Sequence, residues 1–433
     1  MGVFAPGHLG ELTQIVPFEM VDAALESARA VQSRVRDLPS RVVVYLLLAG
    51  ALFADIGYTQ VWARMIAGLD GPAPARPGSS ALTQARRRVG SAPLRELFGL
   101  LAGPAAGATR WRGLLVCAID ATTMFVPDTT ANLSTYHRQG SGNGESGYPM
   151  LRLLTVVACG TRTVIDAVFG THGISEQAYA PQLFGCLREG MLLLADRNSA
   201  VAALITQIAE TKADLLVRAK TGHAVPMIER SADGSWLTLK GQIVVRVIDA
   251  DIEVAPHGGP RRTEHYRLLT TLTDHRRYPA MELMRLYHQR WQIETSYAEI
   301  KSSILNGRVL RARTPNGIDQ EVYALLVTHQ ALRIAIADAT HGHPGPLHAS
   351  FTIALNTARD QLIHAAAVIA DTAIDLVGRI GRAVLADPIP TRRPRQSPRV
   401  VKRAISKHRA KGIIDRTNYP NIDITINLRK PPT

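Results

Sequence analysis

Tyr287, Arg290, Glu294 and Lys301 follow one another at gaps of three, four and seven within Tyr-His-Gln-Arg-Trp-Gln-Ile-Glu-Thr-Ser-Tyr-Ala-Glu-Ile-Lys. On a helix that turns about 100° per residue, these side chains fall within roughly a 60° arc. A carboxylate, two cations and a phenol then share one edge. A second, apolar stripe runs through Leu286, Ile293, Ile300 and Ile304 and buries the neighbouring edge. A lone charged helix is usually a solvated face. Two further carboxylates give this one another use. Asp120 ends the apolar run Leu114-Leu-Val-Cys-Ala-Ile119, and Asp196 ends Met191-Leu-Leu-Leu-Ala195. Ligands collect at the carboxyl ends of strands in open α/β sheets. An acid there is costly unless it is paired, hydrogen-bonded or metal-bound. Asp also starts turns, so one such residue says little. Two of them with Glu294 form a candidate site for two hard divalent cations such as Mg²⁺, able to serve an in-line phosphoryl displacement. Arg290, Lys301 and Tyr287 would then hold nucleic-acid phosphates.

The elements that must position these groups are readable in outline. Phe18 to Gln32 is amphipathic, and Arg41 to Phe53 is an apolar helix. Gly71-Pro-Ala-Pro-Ala-Arg-Pro-Gly78 reads as a linker, with Ser79 and Ser80 as N-caps of a helix reaching Val89. Arg86, Arg87 and Arg88 on that helix cannot share one face, so phosphate contact and simple solvation are both open to them. From residue 111 short apolar runs predict buried strands, Leu151 to Val157 and Thr163 to Phe169 joined at Gly160, with a helix over Ser175 to Leu187. Residues 214 to 275 break into five short β-type runs, an antiparallel insert. Helices resume near Pro279 and continue to Asp338.

Composition narrows the partner. The chain has 433 residues, enough for roughly two to four domains. Its net charge of +14 points to a polyanion, with nucleic acid ahead of an anionic membrane surface. Residues 388 to 414 hold nine Arg or Lys and no Asp or Glu, an extended basic arm suited to the DNA backbone. The three cysteines are scattered in apolar segments, a reduced intracellular pattern. The longest apolar run, Val42 to Ala54, is too short to span a bilayer, and the first residues lack the basic stretch followed by an apolar one that marks a signal peptide, so none is expected. A soluble cytoplasmic protein is expected. The glycine-rich Arg138 to Gly147 lacks the Gly-Lys-Ser/Thr ending of a nucleotide loop and reads as a mobile loop. His341, His343 and His348 lack a completing Cys or carboxylate, so a loop is expected there.

Tyr287, Arg290, Glu294 and Lys301 reproduce the Y-x2-R-x3-E-x6-K signature of bacterial DDE transposases of the insertion-sequence-four family. Asp120 in Leu-Val-Cys-Ala-Ile-Asp-Ala-Thr-Thr resembles the first Asp of the triad, and Asp196 in Met-Leu-Leu-Leu-Ala-Asp-Arg-Asn the second. Asp37 to Arg88 resembles the family's N-terminal domain, and the likeness weakens after about residue 345. The resemblance implies an α/β fold: a ribonuclease-H-like core at 111–213 and 277–345, interrupted by a β insertion at 214–276. A DNA-binding helical domain at 1–78 and a connector at 79–110 would precede it, and a helical segment with the basic arm at 346–433 would follow. It further implies that Asp120, Asp196 and Glu294 ligate two Mg²⁺, with Mn²⁺ as a substitute, and that Tyr287, Arg290 and Lys301 contact DNA. The implied reaction nicks double-stranded DNA at the element's terminal inverted repeats and joins the freed 3′-hydroxyl to target DNA. The implied assembly is a homodimer in the synaptic complex, in a nucleoid-associated setting. Some members stack an aromatic residue on a flipped base. Trp236 and Trp291 are the nearest here, and each is expected to be a packing residue. Two other classes stay open: a catalytically silent DNA-binding derivative, and a nuclease without strand transfer.

Overall fold

In the computed structural model, residues 7–34, 36–69, 74–141, 144–221, 225–343, 348–365, 378–390 and 417–430 are described, those at 139–141 and 144–146 by backbone alone. In chain order the helices are α1 (Phe18–Ser27), α2 (Ser40–Leu52), α3 (Tyr58–Ile66), α4 (Ser79–Val89), α5 (Ala92–Leu101), α6 (Thr130–Leu133), α7 (Glu176–Tyr179), α8 (Ala202–Glu210), α9 (Ala280–Tyr287), α10 (Trp291–Ala298), α11 (Pro315–Ala339), α12 (Phe351–Ile363) and α13 (Gly378–Ala386). The strands are β1 (Arg110–Trp111), β2 (Leu114–Phe125), β3 (Gln139–Ser141), β4 (Gly144–Ser146), β5 (Met150–Ala158), β6 (Val164–Thr171), β7 (Met191–Ala195), β8 (Asp214–Ala219), β9 (Glu229–Arg230), β10 (Trp236–Lys240), β11 (Ile243–Pro256), β12 (Arg262–Thr270) and β13 (Ile422–Leu428). The chain is thus mixed α/β. The five-part division expected from sequence gathers into two compact units, residues 1–194, 211–213 and 289–389 in one, and 195–210, 214–288 and 390–433 in the other.

In the first unit the strand order is β6-β5-β2-β7. β5 runs antiparallel to β2 and β6, whereas β7 runs parallel to β2. The β5–β6 turn needs Gly160, whose φ is +90° and whose absent Cβ would lie 2.8 Å from the Thr109 nitrogen. α11 is buried over most of its length and packs on α2, α5 and α13. α2 is buried from Val42 to Leu52, which explains its unbroken apolar sequence. No described helix is long and apolar enough to cross a membrane. One side chain ties these helices to the segment after α10. Arg311 pairs with Glu321, donates to the carbonyls of Gly50 (2.7 Å) and Ile56 (3.0 Å), and stacks on Tyr58 at 4.6 Å. α4 starts after Gly78, which stands at the N-cap without a side-chain cap bond, so Ser79 lies in the first turn instead of capping it.

In the second unit β8, β12, β11, β10 and β9 form an antiparallel sheet in that order. The two runs expected at Ile243–Ile248 and Ile252–Ala255 are one strand, β11. β13 pairs with its outer part, Ala250 opposite Leu428 through Pro256 opposite Ile422. Arg246, fully buried, pairs with Asp233 and donates to Ser235 Oγ (2.7 Å) and the Tyr278 carbonyl (2.6 Å). Asp233 also accepts from the Ala280 N–H at 3.0 Å, so the β10 turn is tied to the start of α9.

Candidate active site

β2 is buried from Leu115 to Ile119 and half-exposed from Asp120 to Thr123. Asp120 therefore does not end its strand. Thr122 and Thr123 keep the chain extended, since β-branched residues favour the pleat, and β2 runs on to Phe125. The Asp120 carboxylate accepts the Ala121 N–H (2.8 Å) and an Arg290 N–H (2.8 Å). The same guanidinium donates to Glu294 at 2.9 Å. One arginine thus spans two carboxylates.

Tyr297 lies beneath. Its hydroxyl donates to the Asp120 carbonyl (2.6 Å) and accepts from the Thr155 N–H (3.1 Å) and Oγ1 (3.0 Å). Asp120 and Thr155 are register partners on β2 and β5, so the phenol fixes the backbone at Asp120. Burial pushes its pKa far up, keeping it a donor. Two residues along the same face of β2, Thr122 Oγ1 accepts from Lys301 Nζ at 3.1 Å. Burial lowers the Lys301 pKa.

The single helix expected to carry these groups is broken. α9 stops at Tyr287, a 3₁₀ turn covers His288–Arg290, α10 follows, and Glu299–Ile304 is π-helical. The 60° arc assumed uniform winding, and the winding changes at these points. Arg290 and Lys301 bond side chains of β2, and Glu294 is joined to Asp120 only through the Arg290 guanidinium. Tyr287 belongs to the second unit, where it is buried and donates to the Ala195 carbonyl at 3.0 Å. The apolar stripe holds: Leu286, Ile293, Ile300 and Ile304 are all buried.

Asp196 follows β7, as expected, and caps a short 3₁₀ turn by accepting the Asn198 N–H at 2.9 Å. Ala118 lies opposite Leu194 in the parallel β2–β7 pair. Counted along the chain, Asp120 and Asp196 each come two residues later. Among the described residues, no group of three His, Cys, Asp or Glu is gathered to hold a metal ion. The donor set at Asp120 and Glu294 is still hard oxygen, already shared by one cation, and fits a divalent ion in chemistry.

Other expected residues divide. Arg86 stacks on Tyr58 at 3.9 Å, and Arg88 donates to the Leu38 carbonyl at 2.7 Å, its pKa lowered by burial and by Arg36. Arg87 is exposed. Trp236 is fully buried, as a packing residue should be, but Trp291 is 59% exposed, which overturns that expectation for it. The glycine-rich stretch forms a β3–β4 hairpin where it is described, and 142–143 lie outside the described residues. His348 Nδ1 bonds the Ile389 carbonyl at 3.2 Å. Of the basic arm, 391–414 lie outside the described residues.

Sequence reading missed Tyr297, Thr122 and a buried cluster around Glu299. Glu299 pairs with Arg333, Arg162 (2.9 Å) and His329 (3.0 Å). Burial pushes its carboxyl up, but Arg333, His329 and Arg162 outweigh that and hold it near a pKa of about 2. Tyr297 was findable, being seven residues after Arg290 and three after Glu294 on the helical repeat.

A family model described as the transposase DDE domain matches residues 111–330, and one described as the insertion element 4 transposase N-terminal region matches 6–99. The chain belongs to this transposase family. The Escherichia coli (strain K12) transposase InsG for insertion sequence element IS4 is 26% identical over 407 residues, covering 89% of this chain and 90% of that protein. A cryo-EM structure of a piggyBac transposase synaptic complex with hairpin DNA aligns over 89% of this chain and 85% of that one, with a TM-score of 0.44 and 12% identity. Asp120, Asp196 and Glu294 lie within the residues of the transposase that the DDE-domain model matches. It is an enzyme that acts on DNA.

Proposed function

We propose that this transposase nicks double-stranded DNA at the terminal inverted repeats of its element and joins the freed 3′-hydroxyls to target DNA, using Asp120, Asp196 and Glu294 to hold two Mg²⁺ ions. The observation that carries the reading is Arg290 spanning the Asp120 and Glu294 carboxylates. When bound, such ions activate the attacking oxygen and stabilise the leaving one. The β6-β5-β2-β7 order, with β7 alone parallel, supports a ribonuclease-H-like core. Tyr297 holds the backbone of Asp120, and Tyr287 holds the carbonyl before Asp196. Arg290 and Lys301 supply cations for the phosphates beside the cut. Exposed Trp291, next to Arg290, offers a face for a displaced base. Arg86, Arg87 and Arg88, and the basic segment after residue 388, extend the contact to the DNA backbone. The active assembly is a homodimer working on the bacterial nucleoid.

The test is strand cleavage of a fragment bearing the gene's own flanking ends. Mg²⁺ or Mn²⁺ is compared with EDTA, and wild type with Asp120→Asn. Metal-dependent cuts at the boundary, absent in the variant, support the reading. Binding without cleavage under every metal would leave a silent DNA-binding protein.

A further inference from the structure

Phe125 and Tyr148 are large aromatic side chains left 41% and 50% exposed, with ring centroids 6.2 Å apart. Scattered exposed apolar residues are ordinary. A fixed pair is less so. Phe125 ends β2, five residues beyond Asp120, and is the register partner of Met150. Val126 donates to the Pro149 carbonyl at 2.9 Å, holding the backbone next to Tyr148. The Phe125 carbonyl accepts from the Leu310 N–H at 3.0 Å, and Gly307 donates back to the Lys301 carbonyl at 2.8 Å. The chain leaving Lys301 is therefore stitched along β2 as far as Phe125.

That chain brings charge. Arg308 and Arg313 on it are exposed, while Arg311 between them turns inward to Glu321. The carbonyls of Ala312 and Arg313 are held by Asn132 Nδ2 (3.1 Å) and Thr129 Oγ1 (2.9 Å). The acid nearby in sequence, Asp128, is paired with Arg138. An exposed aromatic pair, tied at Phe125 to a segment that carries exposed guanidinium groups, matches what a nucleic-acid strand offers: a π-face and phosphates. Five strand residues cover roughly 17 Å, about five nucleotides at the 3.4 Å rise of one DNA strand.

We propose that Phe125 and Tyr148 form a stacking platform for an unpaired base about five nucleotides from the cleaved phosphate, with Arg308 and Arg313 on the adjoining backbone. The platform favours DNA that is opened next to the cut. This rests on the DNA-end reading above and adds a second base contact, separate from Trp291.

The test uses the full chain in EDTA and two duplexes carrying the element end. One is fully paired. The other has a two-base mismatch with 2-aminopurine about five nucleotides from the cut. Wild type should prefer the mismatched duplex and quench the 2-aminopurine. Phe125→Ala with Tyr148→Ala should lower affinity for it about tenfold, abolish the quench, and leave the paired duplex within about twofold. Phe125→Leu alone, a gentler change in packing, should also weaken the quench, and Tyr148→Trp should retain it. Equal wild-type binding to both duplexes with no quench overturns the platform while sparing the DNA-end reading. A changed oligomeric state in the double variant overturns it as well, because the pair would then be a subunit contact. Wild type binding neither duplex overturns both.

Discussion

Glu294 and Glu299 stand five residues apart on one helical run, and each faces guanidinium. Their surroundings differ in proportion. Glu299 has a side chain 6% exposed and three partners, Arg162, His329 and Arg333. Glu294 is 37% exposed and shares the single guanidinium of Arg290 with Asp120. A buried carboxylate with more cationic partners than it needs fixes structure. Glu294 and Asp120 are more open to solvent, at 37% and 18%, and one guanidinium bridges them. The same residue types thus build a clasp and a site, and the ratio of charge to partner separates them.

The sharpest way to break the comparison is to neutralise each glutamate. Glu294→Gln should lower DNA cleavage on the order of a thousandfold or more, as expected when a transition-state charge partner is removed, with DNA affinity and melting nearly unchanged. Cleavage at the wild-type rate would remove Glu294 from the chemistry. Glu299→Gln should do the reverse, costing about 3–5 kcal/mol of stability by leaving Arg333 and Arg162 buried without their counter-charge, read by denaturant unfolding. A variant as stable as wild type would mean the cluster is not the clasp described.

Acid should sharpen the contrast further. The folded Glu299 pKa, about 2, lies below its unfolded value near 4.5. Its stabilisation is therefore complete above the unfolded value and is lost as pH falls through that window. Burial also lowers the His329 pKa, so protonation in the unfolded chain adds to the loss below about pH 6.5. Unfolding midpoints should drop steeply in acid for wild type and more gently for Glu299→Gln. Parallel curves would count against the assignment.

Arg290→Gln should slow cleavage roughly ten- to a hundredfold, the usual scale for a group that orients a ligand. It should also make divalent-ion binding, followed by calorimetry, more favourable without DNA. Weaker ion binding would mean Arg290 supports the carboxylates instead of competing for them. The smallest effect belongs to Arg87, exposed on α4. Arg87→Ala should reduce the salt slope of DNA binding by about one. An unchanged slope would mean it only meets solvent.

Much of this was legible. Asp196 follows a five-residue apolar run because such a run is a buried strand and nothing extends it. The apolar stripe through Ile293 and Ile300 marked the buried side of the run correctly. Asp120 misled because Asp often starts turns, while the residues after it extend the strand. The breaks at His288 and Glu299 left no local trace, since residues 280–305 contain neither Gly nor Pro. They coincide with distant ties, Tyr287 to Ala195 and Glu299 to Arg333, and such contacts have no signature in local sequence. β13 could have been seen, because Ile422-Asp-Ile-Thr-Ile-Asn-Leu428 alternates strictly. Its partner β11 could not.

The pairing of β13 with β11 also sets a timetable. The outer edge of β11, from Ala250 to Pro256, meets a strand made about 170 residues later. At elongation rates of roughly 5–20 residues per second, that edge waits about 10–35 s on the ribosome with its N–H and C=O groups bare. Bare edges recruit other strands, and inserted charges blunt them. Asp251 and Glu253 lie on this edge, and Asp249 just before it. Asp251, Asp249 and Glu253 meet His265, Arg267 and Arg261 on or beside β12 soon after they are made, and only Arg429 reaches Asp251 with the late β13. Charge of this kind on a waiting edge opposes its pairing with another chain.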